Sequence, residues 1–471
     1  MLPYVRVTIN NFKFIRPQNF QTQKFFKMKK TFIYAIFAAF FMVLVGFVFL
    51  KNHTASEKNF PLIERKGELA NSPEWKTVRA RAEKLTKTME QNPSDINTKL
   101  QLAAVFIQEG RTTGNRIYYD MAAMKYVNDV LKSDSLNFDA LTFKATLQLA
   151  QHHFSDGLQT AQKAQQKNPY NAFIYGMLVD ANVELGNYTE AVDNSDKMMS
   201  IRPDLRSYSR VSYLREIHGD YAGAIEAMNL AVSAGAPGDE GTEWARVHLG
   251  QLFEYVGDAK NAEMQYLTAL NERPNYGYAY AGLARLATAK KEYPKAIALY
   301  QKADSLVMDC VFQESLVDVY TLAQQSQQAE AAAQSVLAAL NKDAQSGLSD
   351  ESIGHYADRE LAHAYLEIKN YDKAVEHALI EYNRRPANID VNETVAWVYF
   401  KKGDAAKALP YIQTALKTKS QNPTLNARAG LILAQAGENA AAKKCLTLAF
   451  QNNAYLYEPL KVEAQKALAK L

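Results

Sequence analysis

Hydrophobic and polar positions fall into two regimes along the chain. Residues 31–50 form a 20-residue run without a charge, preceded by Lys24, Lys27, Lys29 and Lys30. At about 1.5 Å per residue a helix of this length spans a hydrocarbon core of about 30 Å, so the run predicts one transmembrane signal-anchor helix. Beyond it, a frame of small residues organises the chain. Gly157, Ala191, Ala224, Ala262, Ala296, Ala329, Ala374, Ala408 and Ala442 stand 34, 33, 38, 34, 33, 45, 34 and 34 residues apart. Ahead of most of them lies a turn: Gly186-Asn187-Tyr188, Gly219-Asp220-Tyr221, Gly257-Asp258, Gly403-Asp404 and Gly437-Glu438, with Lys291-Glu292-Tyr293 and Lys369-Asn370-Tyr371 in two cycles. Pro169, Pro203, Pro274 and Pro386 fall twelve residues after their anchors. Each cycle therefore predicts a helix, a turn, a second helix and a proline stop. The anchor is small because two helices cross there at close range.

This pattern resembles the tetratricopeptide repeat family, a 34-residue helix-turn-helix unit. Leu249, Gly250, Phe253, Gly257, Ala262, Tyr266, Ala269 and Pro274 carry the fullest match. Leu178, Gly186, Tyr188, Ala191 and Pro203 carry a second, and Leu361, Ala362, Tyr365, Tyr371, Ala374 and Pro386 a third. The resemblance implies an all-α fold: a right-handed superhelical solenoid, here preceded by the transmembrane helix. The expected organisation is a basic segment at 1–30, the anchor at 31–50, a linker at 51–72, a helical lead-in with a degenerate repeat at 73–137, tandem repeats at 138–453 and a closing helix at 454–471 that covers the last apolar face. Three irregularities stand out. Residues 110–115 read as an inserted turn, residues 235–241 as an irregular joint, and residues 341–354 as a longer helix or a loop, with a break in the superhelix.

Charge alters the picture at the amino terminus. The chain holds 54 Lys and Arg against 50 Asp and Glu, yet residues 1–30 contain seven basic residues and no acid, so the remainder carries −3. Basic residues stay cytoplasmic, which predicts a cytoplasmic amino terminus and an exported repeat body, periplasmic if the cell is Gram-negative. The alternative is a secreted or periplasmic protein after signal cleavage, for which Thr54-Ala55-Ser56 is the only small-residue site. Met28 is a second candidate start, with only Lys29 and Lys30 ahead of the run. A near-neutral body lacks the field that draws a protein to nucleic acid, so no nucleic-acid partner is expected.

Signatures of catalysis are missing from the sequence: no His-Glu-x-x-His, no phosphate-binding loop, no dinucleotide fingerprint and no nucleophile elbow. The reading is therefore of a non-enzyme without cofactor. His355 and His363 lie eight residues apart on one helical face but show no third ligand, so no metal is expected. Cys310 and Cys445 read as small packing residues.

In the resembled family the first helix of each pair lines a concave groove. Helical geometry applied to those helices selects Asp180, Arg206, Arg210, Tyr213, Trp244, Gln251, Tyr278 and Arg285, with Arg359, His363 and Trp397 in later repeats. Arginine and aromatic side chains are the types that anchor interfaces; Arg206, Arg210 and Arg285 are candidates to hold a peptide's carboxylates, with Trp244 and Tyr278 as apolar platforms. The expected function is a membrane-anchored scaffold whose groove binds segments of partner proteins. The alternatives are an accessory part of an enzyme, or a glycan- or solute-binding protein of the cell envelope.

Overall fold

In the hairpins that follow residue 137, the residue five positions before the small anchor bends the backbone the same way. His152, Gly186, Gly219, Gly257, Lys291, Gln324, Lys369, Gly403 and Gly437 all have positive φ, between 58° and 94°. The turn therefore forms even where Lys or Gln replaces glycine, and in the cycle around Ala329, where the sequence offers no glycine at all. The anchors themselves are buried, and Ala191, Ala224, Ala262, Ala296, Ala374, Ala408 and Ala442 are 0% exposed.

The structure is a computed structural model and describes residues 60–349, 354–451 and 455–471. The expected membrane span at 31–50 and the basic segment before it lie outside the described residues. Among the described residues no helix is long and apolar enough to cross a membrane. The chain divides into units Met1–Pro61 and Leu62–Leu471. The second contains one 3-10 helix, Gly67–Asn71, and 22 α-helices, with no strand among the described residues.

The lead-in is α1 (Pro73–Gln91), α2 (Ile96–Thr113) and α3 (Arg116–Ser133). Nine hairpins follow: α4 (Phe138–Ala150) with α5 (Phe154–Lys167), α6 (Ala172–Leu185) with α7 (Tyr188–Ile201), α8 (Leu205–Ile217) with α9 (Tyr221–Ala234), α10 (Glu240–Tyr255) with α11 (Ala259–Glu272), and α12 (Gly277–Ala289) with α13 (Tyr293–Leu306). Then come α14 (Cys310–Leu322) with α15 (Ser326–Ser349), α16 (Asp358–Glu367) with α17 (Tyr371–Arg384), α18 (Ile389–Lys402) with α19 (Ala405–Ala415), and α20 (Pro423–Gln435) with α21 (Asn439–Ala449). The closing helix is α22 (Glu458–Leu468), whose Leu460 and Ala464 join Leu456 in covering the core of α20 and α21. Pro169, Pro203, Pro274 and Pro386 each sit two residues past the end of a second helix, as their inability to continue it demands.

The three irregular stretches resolve individually. Residues 110–113 are helical, because Gly110 lets Tyr119 approach α2; the turn is confined to Gly114, at φ 73°, and Asn115. Residues 235–239 form a loop pinned by Glu243, which accepts from the Gly238 amide at 3.0 Å. Of the insertion after Ala329, residues 341–349 are added helix, which brings α15 to 24 residues, and residues 350–353 lie outside the described residues. The expected break is not found there, since Val336 and Leu340 share a core with Ala357, Leu361 and Ala364. The described part of the expected linker is docked rather than loose. The Tyr119 hydroxyl lies 3.2 Å from both the amide and the carbonyl of Ile63, and Arg65 is buried against Glu109.

The superhelix closes on itself. Met308 donates its amide to the Thr113 carbonyl at 2.9 Å, and Tyr356 donates to Gln151 at 3.1 Å. Asn388 Nδ2 donates to the Glu184 carbonyl at 3.0 Å, and Arg385 pairs with Glu184. A Cβ on Gly186 would overlap the Ala387 backbone, and one on Gly219 would stand 2.7 Å from the Lys419 carbonyl. Glycine is thus required at those two turns for close approach as well as for φ. All these contacts join segments about 200 residues, or six hairpins, apart. The small rotation per repeat therefore accumulates to a full turn within this chain, and the concave side becomes a lumen bounded by consecutive turns.

Candidate functional site

The first helices α6, α8, α10, α12, α14, α16, α18 and α20 carry a nearly continuous band of ionisable groups. Arg210 donates to both carboxylate oxygens of Asp180, at 2.8 and 2.6 Å. Arg285 makes a fork with Glu254 at 2.9–3.2 Å and also donates to the Tyr266 hydroxyl at 3.0 Å. Arg428 donates to Glu393 at 2.6 Å. Two of the three arginines expected to hold a partner's carboxylates thus already hold carboxylates of this chain. The third, Arg206, is exposed, with its guanidinium over the Phe173 ring at 4.8 Å.

The remaining expected groove residues divide by environment. Tyr213 is 38% exposed on α8. Gln251 donates to the Tyr255 hydroxyl at 2.8 Å, and the Tyr278 hydroxyl donates to Asp309 at 3.0 Å. Trp244 packs on His248, ring centroids 4.0 Å apart. Arg359 and His363 both reach the Thr394 hydroxyl, at 3.3 and 3.2 Å. Trp397 is a correction: it is buried, stacked on Phe400 at 5.2 Å and covered by Arg428 at 4.9 Å. Its ring serves the core between α18 and α20 and offers no open platform.

Sequence reasoning missed the acids. Burial, reinforced by Asp390, pushes the Glu216 carboxyl up to about 7. Burial and Glu360 do the same to Glu314, and burial and Glu367 to Asp318, each reaching about 7. None of these three has an ion-pair partner among the described residues. Burial and neighbouring arginines hold His248 and His363 down at about 4, so these imidazoles are neutral at pH 7. The signal in the sequence was an acid at or near the end of several first helices (Glu184, Glu216, Glu254, Glu367), but spacing alone did not say which acids meet.

A carboxyl whose folded pKa is raised contributes stability below its unfolded pKa of about 4 and loses it as pH rises through about 7. Asp318→Asn should therefore leave the urea midpoint nearly unchanged at pH 4 and raise stability at pH 8 by about 4 kcal/mol. An equal effect at both pH values would show that Asp318 is not held uncharged by its surroundings.

A second cluster joins two turns of the superhelix. His152 Nδ1 lies 3.1 Å from His355 Nε2 and 3.9 Å from Glu360 Oε1. His363, expected beside His355, faces Thr394 instead; the partner of His355 comes from a hairpin 203 residues upstream.

Residues 248–307 match the tetratricopeptide repeat family model. No match is found among curated proteins. Solved structures similar to this chain include a thermophilic tetratricopeptide repeat protein from Thermus thermophilus, with 19% identity over 42% of this chain and 100% of that one and a TM-score of 0.36. The human IFIT1 dimer with PPP-AAAA shows 14% identity over 74% of this chain and 89% of that one, TM-score 0.41. The Cut9–Hcn1 hetero-tetramer of the APC/C shows 14% identity over 84% and 73%, TM-score 0.39. The chain is an all-helical solenoid of tetratricopeptide-like hairpins, with the family's sequence pattern matched at residues 248–307.

Proposed function

We propose that this protein is a membrane-anchored scaffold whose repeat body lies on the exported side and binds an extended segment of a partner protein along the lumen of its superhelix. The observation that carries the binding reading is the band of lumen-side groups on consecutive first helices, in which Arg210, Arg285 and Arg428 are ion-paired within the chain while Glu216, Glu314 and Asp318 have no ion-pair partner among the described residues. An acidic, partly desolvated lining favours a segment bearing Lys or Arg, because a cation arriving there removes the cost of ionising buried carboxyls. This reverses the carboxylate-binding role expected for Arg210 and Arg285. Arg206 and Tyr213 remain open to an incoming chain. The anchoring reading is supported by the uncharged run at 31–50 and the lysines before it. Tethering would raise the local concentration of the body near membrane-bound partners.

Two experiments test this. Fluorescence anisotropy against extended peptides matched in length should show basic peptides binding at least tenfold tighter than acidic ones. The Glu216→Gln/Glu314→Gln pair should remove most of that preference. Equal affinity for both peptide classes would overturn the acidic-lumen reading. A reporter fused after Lys51 should be active on the exported side, and activity on the cytoplasmic side would reverse the topology.

A further inference from the structure

The first of the nine hairpin turns differs from its sisters in one residue. At the left-handed position, five turns hold glycine and three hold Lys or Gln, while this one holds His152 at φ 63°. An imidazole there projects from the α4–α5 turn toward the next turn of the superhelix. The segment 354–357, leading into α16, lies against it and supplies His355, and the first turn of α16 supplies Glu360.

One ring nitrogen each of His152 and His355 and one carboxylate oxygen of Glu360 all lie within 4.8 Å of one another. The closest pair stands 3.1 Å apart and the next 3.9 Å. Two ligands bound at about 2.0–2.2 Å to one ion sit roughly 3–4 Å apart, so small rotamer adjustments bring all three to a shared centre. The Tyr356 carbonyl, 3.1 Å from His152 Nδ1, faces the same point.

A single proton on His152 Nδ1 has two acceptors to serve, the Tyr356 carbonyl and an unprotonated His355 Nε2, each 3.1 Å away. Glu360 Oε2 is buried and has no hydrogen-bond partner, an arrangement that costs free energy unless something fills it. A cation accepting lone pairs from His152, His355 and Glu360 satisfies all three.

The ligands are also held from behind. The Phe154 ring stacks on His152 at 5.3 Å and 20°, and Arg385 lies over Phe154 at 4.6 Å. The His153 ring stacks on Tyr356 at 4.0 Å and 8°, and its Nε2 meets the Gly354 carbonyl. Tyr356 donates its amide to Gln151 at 3.1 Å. Such outer contacts fix the orientation that metal ligands need.

We propose that His152, His355 and Glu360 form a binding site for a divalent transition metal of the zinc class, which clamps one turn of the superhelix to the next. Two imidazoles and one carboxylate suit Zn²⁺ and disfavour Ca²⁺ and Mg²⁺, whose sites are built from oxygen. The fourth position is open to water or to the Tyr356 carbonyl. The bound ion ties residues 152 and 355, and with them the closure of the lumen, to metal supply.

The test uses the full chain, stripped with a chelator and titrated with Zn²⁺ alone in competition with a chromophoric chelator. One Zn²⁺ per chain should bind and raise the unfolding temperature, and Co²⁺ should give the visible absorption of a four-coordinate ion. His152→Gly installs the residue that five sister turns already hold, so the turn persists while the ligand is lost; His355→Gln and Glu360→Gln keep side-chain size. Each should weaken Zn²⁺ at least tenfold with the helical circular dichroism of the metal-free protein unchanged. Absence of stoichiometric Zn²⁺ binding, or affinity insensitive to any of the three substitutions, overturns the site.

Discussion

Arg65→Met should cost about 3–5 kcal/mol of stability at pH 8, the range for breaking a buried ion pair by removing one partner. The side chains of Arg65 and Glu109 are 1% and 0% exposed. Arg65 Nε and Nη2 donate to the two oxygens of Glu109 at 2.9 and 2.6 Å, and Nη2 also reaches Glu74 at 3.1 Å. Glu74 in turn accepts from Arg273 at 2.8 Å, so the pair belongs to a chain of contacts linking the lead-in to α11 and the loop after it. Methionine fills the space of the arginine stem but leaves the Glu109 carboxylate in the interior with no cation. Protonating that carboxyl removes the stranded charge, so the deficit of the variant should shrink as pH falls toward 5. Arg65→Met/Glu109→Leu should recover most of the loss, because the stranded charge is gone. Urea unfolding of the two variants at pH 5 and pH 8 decides the matter. A single variant within 1 kcal/mol of wild type at pH 8, or a double variant as unstable as the single, contradicts the assignment.

Tyr266→Ala should destabilise by about 3–5 kcal/mol, as deletion of a fully buried aromatic side chain does. Tyr266, 0% exposed on α11, is sandwiched where α10 and α12 both present glycine: a Cβ at Gly250 or at Gly282 would come within 2.5 Å of its ring. Its hydroxyl donates to Glu254 and accepts from Arg285 at 3.0 Å. Truncation to alanine both opens a cavity between three helices and loosens the Glu254–Arg285 fork. Tyr266→Phe keeps the ring and removes only the hydroxyl, at a cost of about 1–2 kcal/mol. Denaturant unfolding should rank the two well apart. Equal losses would mean that the hydroxyl network, and not the ring between the glycines, supports this repeat.

Tyr266 also shows how much of the architecture is legible in the sequence. Gly250 and Tyr266 stand out in the sequence through the resemblance to the tetratricopeptide pattern, and the structure supplies the reason: the ring occupies the space the glycine leaves. The turns are legible for the same local reason, although Gln324 shows that a left-handed residue need not be glycine. Gly110 misled, since a glycine read as a turn is here a site of close helix packing. The groove list did not foresee which of its members pair with one another. Asp180 and Arg210 were both marked as partner-facing, yet they bond to each other. Trp397, read as a groove residue of a later repeat, is core.

Helix positions, hairpin turns and their tandem order follow from the sequence, because each hairpin is shaped by its own residues and its immediate neighbours. The superhelical closure does not. It is the sum of many small inter-hairpin rotations, so the meeting of Gly186 with Ala387, of Arg385 with Glu184, or of His152 with His355 is invisible to any pattern with a period of 34. Those contacts decide which carboxyls are desolvated, which arginines are already occupied and where two imidazoles converge. Tertiary structure alone supplies them, because burial and electrostatic pairing depend on distance in space while the repeat records distance along the chain.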